Sequence, residues 1–348
     1  MDTALLKALS EAHGISGKED AVRRIILNTI DGHADDIRID PLGSVTARKA
    51  GAGARRRRVM LAAHMDEVGF MVTGVDGDGL LRFTAVGGID DRILPALRVR
   101  VGANAIPGVI LWTPIHMGRE QTVVRMSSLR IDIGATSKDE ASSKARVGDM
   151  IVFDAGFVEL RGGMLRGKAF DDRAGCALLA EVLRGAPSAA EVLAAFTVQE
   201  EIGLRGAQVA AQTLEPELAI VLETTTANDI PNPLADADST EELNPTCRIL
   251  GGPVLTVMDR SLIVPPRLLA FARATAERHG IRYQLKTQPG GGTDGGSIHI
   301  SGGGVPTLVI SMPARYIHSP LALLHRDDYE NTLRLVQALL NDIEELSL

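Results

Sequence analysis

Four short apolar runs in this chain each lead directly into acidic or histidine side chains. Each run has the length and composition of a buried β-strand. In α/β sheets, ligands bind outside the carboxyl ends of the strands, so these four ends are expected to converge on one crevice. The runs are 59–65, which contains His64 and precedes Asp66, 192–197, which precedes Glu200 and Glu201, 218–222, which precedes Glu223, and 307–311, which precedes His318.

Glu200 and Glu201 are adjacent carboxylates at the end of one of these runs. A buried carboxylate must be compensated or neutralised, so the pair predicts a cation close by. Where a strand ends in a turn, two successive side chains can reach one cavity, and one can bind the cation while the other transfers protons. A solvated pair at a loop entrance is the commoner fate of glutamates in general. The histidine and acidic side chains at the other three strand ends favour the cation site over a solvated pair.

A further pair of carboxylates, Asp171 and Asp172, stands immediately before a helical stretch. Together with the strand ends it makes a set of two histidines and several carboxylates, without thiolate. Such nitrogen and oxygen ligands suit zinc, cobalt or manganese, and a shared carboxylate would suit two ions.

The length of 348 residues favours two domains. From residue 68 to 165, short alternating runs are broken by Gly, Asp and Pro, which indicates a small β-barrel or sandwich. Candidate ligands lie on both sides of this stretch, so it is an insertion in an α/β domain. We therefore expect a discontinuous catalytic domain at 1–66 and 165–348 and an inserted β-barrel domain at 67–164.

Charge and hydropathy exclude several classes of protein. The net charge of −7 disfavours binding to nucleic acid or an anionic membrane. No apolar stretch approaches the roughly 18 residues of a membrane span, and no secretory signal is visible, so we expect a cytoplasmic protein. The arginines at 55–58 are interpreted as a solvated connection, since no aromatic residues interleave with them.

Cys176 and Cys247 cannot form a disulfide framework, and a buried inert thiol is expected at Cys176.

The glycine-rich loop at 289–297 lacks the lysine of a phosphate-binding loop. We interpret it as backbone that passes close to metal and substrate. Thr293 and Asp294 are minor candidates for substrate contact, and Asp294 could instead cap a turn.

Some polar residues are expected to have structural roles. His116, His299 and His325 are assigned no part in metal binding. The spacing of Ser16 and Glu19 predicts a capping box at the start of a helix.

The motifs of the chain resemble those of metallopeptidase family forty-two, the dinuclear-metal tetrahedral (TET) aminopeptidases, which include glutamyl and deblocking aminopeptidases. The resemblance extends from about the first helix to the last, with the motifs in the family's order. They are LAAHMDEVGFMV, KAFDDRAG, VQEEIGLRGA, LETTTANDIP, GGGTDGGSIH and PARYIHS. It implies a mixed-sheet α/β/α domain of the zinc-exopeptidase type with an inserted β-barrel.

The resemblance also implies a set of metal ligands and their roles. One divalent ion would bind to His64, Asp171 and Glu223, and a second to Asp171, Glu201 and His318. The ions, zinc or cobalt first and manganese as a further possibility, would activate a water as hydroxide. Glu200 would be the general base that passes the proton to the leaving amine. The spacing itself predicts a role for Asp66, because two residues past His64 on a strand its carboxylate lies on the same side and would hold the imidazole N–H, which fixes the tautomer. A direct role of Asp172 is left open.

By the same resemblance, the chain would remove N-terminal residues from peptides with a free N-terminus. The inserted domain would mediate assembly, first into dimers and then into a dodecamer. The preferred N-terminal side chain stays open.

Other functions remain in competition with this interpretation. Many aminopeptidases of the family have Asp where this chain has Glu223, and glutamate there is often found in related two-metal carboxypeptidases and N-acyl-amino-acid deacylases. A non-catalytic assembly protein of the same fold is disfavoured by the complete set of ligands with Glu200. A carbohydrate hydrolase that uses two carboxylates without metal is disfavoured by the histidines at ligand positions.

Overall fold

The computed structural model describes residues 1–117, 123–230, 247–287 and 290–347. Within these ranges the strands form a large mixed sheet and a separate closed barrel. The strands are β1 (Asp35–Ile39), β2 (Val45–Lys49), β3 (Arg58–His64), β4 (Gly69–Val75), β5 (Leu81–Val86), β6 (Arg98–Val101), β7 (Ile106–Ile110), β8 (Ile131–Asp132), β9 (Met150–Phe153), β10 (Val158–Glu159), β11 (Met164–Gly167), β12 (Glu191–Thr197), β13 (Leu218–Thr226), β14 (Val254–Thr256), β15 (Gln284–Lys286), β16 (Thr307–Arg315) and β17 (Ala322–His325).

The α-helices are α1 (Thr3–Glu11), α2 (Asp20–Ile30), α3 (Lys138–Lys144), α4 (Phe170–Arg184), α5 (Arg205–Leu214), α6 (Pro266–Arg278), α7 (Gly295–Ile298) and α8 (Arg326–Asn341). From α4 onward the α-helices are interspersed with strands of the large sheet, whereas α3 lies among the barrel strands. Short 3-10 helices lie at Asp91–Ile93, Ile115–Met117, Met126–Ser128, Arg161–Gly163 and Ile343–Glu345.

The large sheet has the strand order β1-β2-β12-β3-β13-β16-β17-β11-β10, and β14 pairs with both β16 and β15. Its centre is parallel, with β12 beside β3, β3 beside β13 and β13 beside β16. The carboxyl ends of these four strands therefore lie at one edge of the sheet, as the sequence predicts. In the register of the sheet, Thr197 lies beside His64, and Ser311 lies beside Glu223.

Helices cover the central strands of this sheet. Every residue of β12 is buried, which requires that both faces of the strand be covered. Helix α4 packs on β3 and β13, α5 on β3 and β12, and α8 on β16, while α1 and α2 pack on α4.

In sequence, the barrel strands lie between β3 and the later strands of the large sheet. Its strands close in the order β4-β5-β8-β7-β6-β9. The barrel has its own core, in which the Phe70 ring meets those of Phe83 and Phe153 edge to face at centroid distances of 5.2 and 5.6 Å. The predicted fold class, an α/β protein with a mixed sheet and an inserted small barrel, is confirmed.

The sequence predicts that the inserted unit extends to residue 164. In the last part of this segment, the strand pairing differs from that prediction. The last barrel strand ends at Phe153, whereas Val158–Glu159 pairs with β11, and β11 pairs with β17 of the large sheet. The alternation of side chains in this stretch is the same for a barrel strand and for a strand at the end of a sheet. Only the pairing partner distinguishes the two.

A buried ionic cluster connects the first helix, the end of β3 and the loop before α4. The Arg173 side chain is fully buried, and its guanidinium donates hydrogen bonds to main-chain carbonyl oxygens of Leu9 and Met65, both at 2.6 Å. Lys168 forms a buried ion pair with Glu67, at 2.5 Å between Nζ and Oε1. Burial lowers the pKa of Lys168 to about 8, although Glu67 opposes this shift.

We expect Arg173→Met to destabilise the fold by about 3–5 kcal/mol, because it removes one member of a buried charge network and leaves carbonyl oxygens without donors. Urea unfolding of the purified protein measures this loss. Arg24→Met is the matched control, because Arg24 is an exposed arginine on α2. Similar unfolding free energies for both variants would contradict a stabilising role of the buried cluster.

Candidate metal centre

Five candidate ligands converge at the carboxyl edge of the parallel strands. His64 is the last residue of β3, Glu223 lies within β13, and Glu201 follows β12. His318 follows β16, and Asp171 lies in the first turn of α4. All five candidate ligands are therefore brought together although they are distant in sequence.

The Asp171 carboxylate lies between the two histidines. Its Oδ1 is 3.2 Å from Nε2 of His64, and its Oδ2 is 3.3 Å from Nε2 of His318. Glu223 Oε1 is 3.5 Å from the same His64 nitrogen, and Glu201 Oε1 is 3.6 Å from that of His318. Ligand atoms bound tetrahedrally at about 2.0–2.2 Å from one ion lie roughly 3.3–3.6 Å apart. The two halves of the cluster thus have dimensions that fit one ion each.

The potential ligand atoms form overlapping groups. His64, Asp171 and Glu223 form one group within 4.8 Å, and Asp171, Glu201 and His318 form another. A third group within the same limit contains His64, Glu200 and Glu201. Glu200 therefore lies beside both predicted ligand sets without being needed for either.

Asp66 supports both His64 and the two glutamates. The acceptor nearest to Nδ1 of His64 is the main-chain oxygen of Asp66, at 3.0 Å, and the carboxylate Oδ1 is 3.4 Å away. The carboxylate also accepts the N–H groups of Glu200 at 3.1 Å and of Glu201 at 3.2 Å. Asp66 thus positions the turn that carries both glutamates, in addition to its predicted contact with the imidazole.

The predicted capping box is wrong. The hydroxyl of Ser16 donates to the carboxylate of Asp66 at 2.5 Å, and Glu19 occupies the N-cap of α2 without a side-chain capping bond. Glu19 instead accepts the N–H of Gly17 at 2.7 Å and that of Gln199 at 3.3 Å. Both residues therefore support the turn of the metal centre, a tertiary role that the local spacing could not reveal.

The inserted segment also supports the site. Nδ1 of His318 lies 2.8 Å from the carbonyl oxygen of Gly88, which follows β5. A hydrogen bond from Nδ1–H to this oxygen leaves Nε2 free to face Asp171. A Cβ on the neighbouring Gly87 would lie 2.8 Å from the Val68 side chain and 3.3 Å from that of Glu201, so glycine permits this close approach.

Several residues near the cluster have left-handed backbone conformations. The φ angles are 54° at Ala169, 58° at Gln199 and 59° at His318. None of these residues is glycine, so each conformation costs energy that the surrounding structure must offset, a situation typical of functional sites. Because residues other than glycine rarely adopt positive φ, the sequence contained no indication of them.

Asp172 has a structural role. It is fully buried, and its carboxylate accepts the N–H of His64 at 3.2 Å and that of Gly175 at 3.0 Å. The peptide bond between Asp171 and Asp172 is cis. Asp172 thus holds the start of α4 against the end of β3, next to the shared carboxylate.

Among the described residues, the four carboxylates of the site outnumber the two imidazoles beside them. Burial raises the pKa of Glu200 well above its usual value, with His64 opposing the rise and Glu223 adding to it. Burial likewise raises the pKa of Glu201 to about 8 and that of Glu223 to about 7. Divalent cations would supply the missing positive charge, so the donor set fits such ions.

Asp171 shows the opposite shift. Burial by itself would raise its pKa, but hydrogen bonds with His318 and His64 bring the pKa below its usual value. Burial would lower the pKa of His318, yet Asp171 raises it to about 9. Asp171 is therefore the member of the cluster that stays ionised most readily, as a shared ligand should.

A family model described as M42 glutamyl aminopeptidase matches residues 43–335. This chain belongs to the M42 aminopeptidase family. A second model, AMPT, matches residues 2–26. The predicted family and the assignment as a hydrolase are confirmed, and members of this metallopeptidase family depend on metal ions.

Relatives with assigned names carry two different specificities. The chain is 33% identical to the lysyl aminopeptidase of Pyrococcus furiosus, with 99% of each chain covered. It is 29% identical to the glutamyl aminopeptidase of Lactococcus lactis, with 97% of this chain and 95% of the relative covered. Membership of the family thus shows that this chain is an aminopeptidase. The names of these relatives do not determine which N-terminal residue it prefers.

Solved structures agree with the fold. A TET aminopeptidase from a marine-sediment Thaumarchaeota archaeon shares 37% identity at a TM-score of 0.91, with 99% of each chain covered. The TET1 peptidase of Pyrococcus horikoshii, described as assembling into a tetrahedron or a large octahedral shell, shares 34% identity at a TM-score of 0.85. That match covers 97% of this chain and 98% of the other. Among the described residues of the M42 chain, no helix combines the length and apolar character needed to cross a bilayer.

The candidate metal centre of this M42 chain opens into a cleft of about 1050 Å³. As predicted, the glycine-rich loop lines this cleft through Gly290, Gly291, Gly292 and Thr293. The histidines assigned structural roles lie elsewhere: His325 donates from Nε2 to the carbonyl oxygen of Gly162 at 2.7 Å. His116 is exposed.

Asp294, a candidate for substrate contact or for capping a turn, lies beneath the cleft. It is fully buried, and its Oδ2 accepts the hydroxyl of Thr197 at 2.5 Å, whereas Oδ1 has no hydrogen-bond partner among the described residues. Burial raises its pKa to about 6, with His64 and the Thr197 hydroxyl both acting to lower it. Asp294 therefore supports the end of β12 and is not among the described residues that line the cleft.

We expect Thr197→Val to destabilise the chelator-treated protein by about 1–3 kcal/mol, because a buried carboxylate loses its donor. The Asp294 pKa rises from 3.8 to about 6 on folding, so the folded state binds the proton more tightly and loses stability as pH rises through this window. The Thr197 hydroxyl stabilises the ionised form of Asp294. The stability lost in Thr197→Val should consequently be larger at about pH 8, where this form predominates, than at about pH 5 in urea unfolding.

Thr275→Val is the control for this prediction, because the Thr275 hydroxyl is fully buried and has no hydrogen-bond partner in the described chain. The control should be nearly neutral at both pH values. An equal loss at both pH values for Thr197→Val would show that Asp294 does not titrate in this window.

Proposed function

We propose that the chain removes N-terminal residues from peptides with two divalent ions at this centre. One ion would be held by His64, Asp171 and Glu223, and the other by Asp171, Glu201 and His318. The observation that carries the proposal is the Asp171 carboxylate, which presents one oxygen to each histidine. Zinc or cobalt, and also manganese, suit these nitrogen and oxygen donors.

Bound at such a site, two divalent ions lower the pKa of water from roughly 15.7 to about 7 and polarise a carbonyl oxygen. The remaining chemistry belongs to the chain. Glu200 faces the cleft beside both ligand sets, and its buried position favours proton uptake. We assign it the role of general base, which accepts a proton from water and delivers it to the leaving amine.

Asp66 acts through other residues in this proposal. Its carboxylate holds the N–H groups of Glu200 and Glu201, so the base and one ligand keep a fixed distance from His64. The substrate's free α-amino group would be bound near the ions or by a carboxylate of the same cluster.

The competing reaction is that of a two-metal carboxypeptidase or N-acyl-amino-acid deacylase. Its support in this chain is the glutamate at position 223. Family membership and the relatives named as aminopeptidases favour the free amine.

We further propose the domain limits 1–66 and 165–348 for the catalytic domain and 67–164 for an inserted assembly domain, of which the last strand, Val158–Glu159, joins the large sheet. The closed barrel lies inside the latter segment. The similarity to TET1 of Pyrococcus horikoshii, described as assembling into a tetrahedron or a large octahedral shell, supports self-association. We propose dimers that build a dodecamer.

A panel of aminoacyl anilides and their N-acetylated counterparts tests the reaction. We expect the zinc-, cobalt- or manganese-loaded protein to cleave only the free-amine series, and Glu200→Gln to lower kcat by about 10²–10⁴-fold because the proton acceptor is lost. Glu215→Gln is the control, since Glu215 is exposed at the end of α5. Cleavage confined to acylated substrates would assign a deacylase instead, and no cleavage with any metal would favour a non-catalytic protein.

Metal content tests the ligand sets. We expect about two ions per wild-type chain after dialysis, and about one in His64→Ala and in His318→Ala, because each substitution disrupts a different set. Asp171→Asn should weaken the binding of both ions, because Asp171 belongs to both sets. Elemental analysis of the dialysed proteins measures the content, with His33→Ala as an exposed control. Full occupancy in all three ligand variants would contradict the proposed sets.

A further inference from the structure

The turn that carries Glu200 and Glu201 is held through its main-chain N–H groups. Three consecutive N–H groups, those of Gln199 and of the two glutamates, donate to carboxylate oxygens. Oε1 of Glu19 accepts the first at 3.3 Å, and the two oxygens of Asp66 accept the second at 3.1 Å and the third at 3.2 Å. The turn begins with a left-handed φ of 58° at Gln199, a conformation that the surrounding structure must support. Two carboxylates that are far away in sequence give this support.

The N-terminal segment 14–19 supplies one of these carboxylates and contacts the other. Glu19 is its last residue, and the hydroxyl of Ser16 donates to Oδ2 of Asp66 at 2.5 Å. The same oxygen accepts the N–H of Glu201, so Ser16 acts on the turn through Asp66. The segment therefore reaches the turn by two routes, one directly from Glu19 and the other through Asp66.

This N-terminal segment is attached to the chain that follows β3. The N–H of Glu67 donates to the carbonyl oxygen of Gly14 at 3.0 Å, and the N–H of Gly14 donates to the Glu67 carboxylate at 3.3 Å. The buried guanidinium of Arg173 also donates to the Gly14 carbonyl oxygen, at 3.0 Å. The segment thus keeps a fixed position relative to His64, the last residue of β3.

Glu19 is a buried carboxylate for which the described residues provide no cationic partner. Burial raises its pKa to about 7 and Asp66 adds to the rise, whereas the N–H of Gly17 opposes it. Such a group is unfavourable for folding, and residues that break this rule are expected where function requires them. Neither Glu19 nor Ser16 is among the described residues that line the cleft, so both act through other residues.

We propose that Glu19 and Ser16 are positioning residues for the general base, because they fix the 199–201 turn and so keep the Glu200 carboxylate in place beside the two ligand sets. The inference rests on the proposed function, in which Glu200 is the general base. Ions bound at the centre would restrain Glu201 directly as a ligand, whereas Glu200 belongs to neither set and is held through the turn. A misplacement of about 1 Å can cost roughly 10²-fold in rate. Loosening the turn therefore lowers turnover while the ligand sets stay complete.

The experiment compares kcat and KM of the metal-loaded chain for a free-amine aminoacyl anilide. We expect Glu19→Met to lower kcat by about 10- to 10²-fold with KM nearly unchanged, because the base is displaced while the cleft lining is intact. Glu19→Gln should retain kcat close to that of the wild type, since its amide oxygen can accept the same N–H groups. Ser16→Ala should lower kcat about tenfold, because Asp66 loses a donor.

Glu11→Met and Ser188→Ala are the matched controls. Glu11 also accepts a main-chain N–H from a distant segment, that of Phe157 at 3.0 Å. The hydroxyl of Ser188 donates to the carbonyl oxygen of Ala190 at 3.0 Å, at the end of β12 opposite to the turn. Neither substitution should change kcat.

Metal content and hydrogen–deuterium exchange separate positioning from a general loss of structure. We expect the Glu19 and Ser16 variants to keep the metal content of the wild type. Peptides that cover residues 198–204 should exchange faster in Glu19→Met than in the wild type, and at the wild-type rate in Glu19→Gln. A loss of kcat in Glu19→Met that is accompanied by loss of metal would overturn the inference, as would an equal loss of kcat in Glu19→Gln.

The failure of the inference is distinguishable from that of the proposed function. If the wild-type enzyme cleaves free-amine anilides and Glu19→Met is equally active, the inference alone fails, because the base then needs no support from the N-terminal segment. If no free-amine anilide is cleaved with any metal, the proposed function fails and the inference with it.

Discussion

The structure depends on a concentration of carboxylates at one edge of a parallel sheet. Strands β3, β12 and β13, with the first turn of α4, bring acidic groups within a few ångströms of each other, where their mutual repulsion and burial oppose ionisation. Much of the surrounding structure maintains this arrangement. Asp66 fixes the turn of the two glutamates, Asp172 ties α4 to β3, and the buried cluster around Arg173 anchors the loop before the shared carboxylate. Cations that complete the charge balance would be bound in a preorganised site.

The inserted segment also contacts residues of the candidate metal centre. The loop after β5 supplies the carbonyl oxygen of Gly88 that orients His318, and Gly87 allows the close approach to Glu201. The segment for which the sequence suggests an assembly role therefore also shapes the metal centre.

Much of the architecture could be predicted because it follows local rules. Apolar runs with sudden polar ends identify buried parallel strands, and short alternating runs with turn residues identify the barrel. The return to the large sheet at Val158 could not be predicted, because an edge strand and a barrel strand have the same alternation. The spacing of Ser16 predicts a helix cap, yet its hydroxyl donates to Asp66, fifty positions away.

By itself, the sequence determined which residue types stand at the strand ends, and hence the nitrogen and oxygen chemistry of the candidate ligands from His64 to His318. Only the tertiary structure decided how they are shared. The two oxygens of Asp171 meet different histidines because parallel pairing places β3 and the end of β16 on either side of α4's first turn. It likewise decided that Asp294 is buried beneath the site. Distances between groups far apart in the chain are set by packing, which no local pattern encodes.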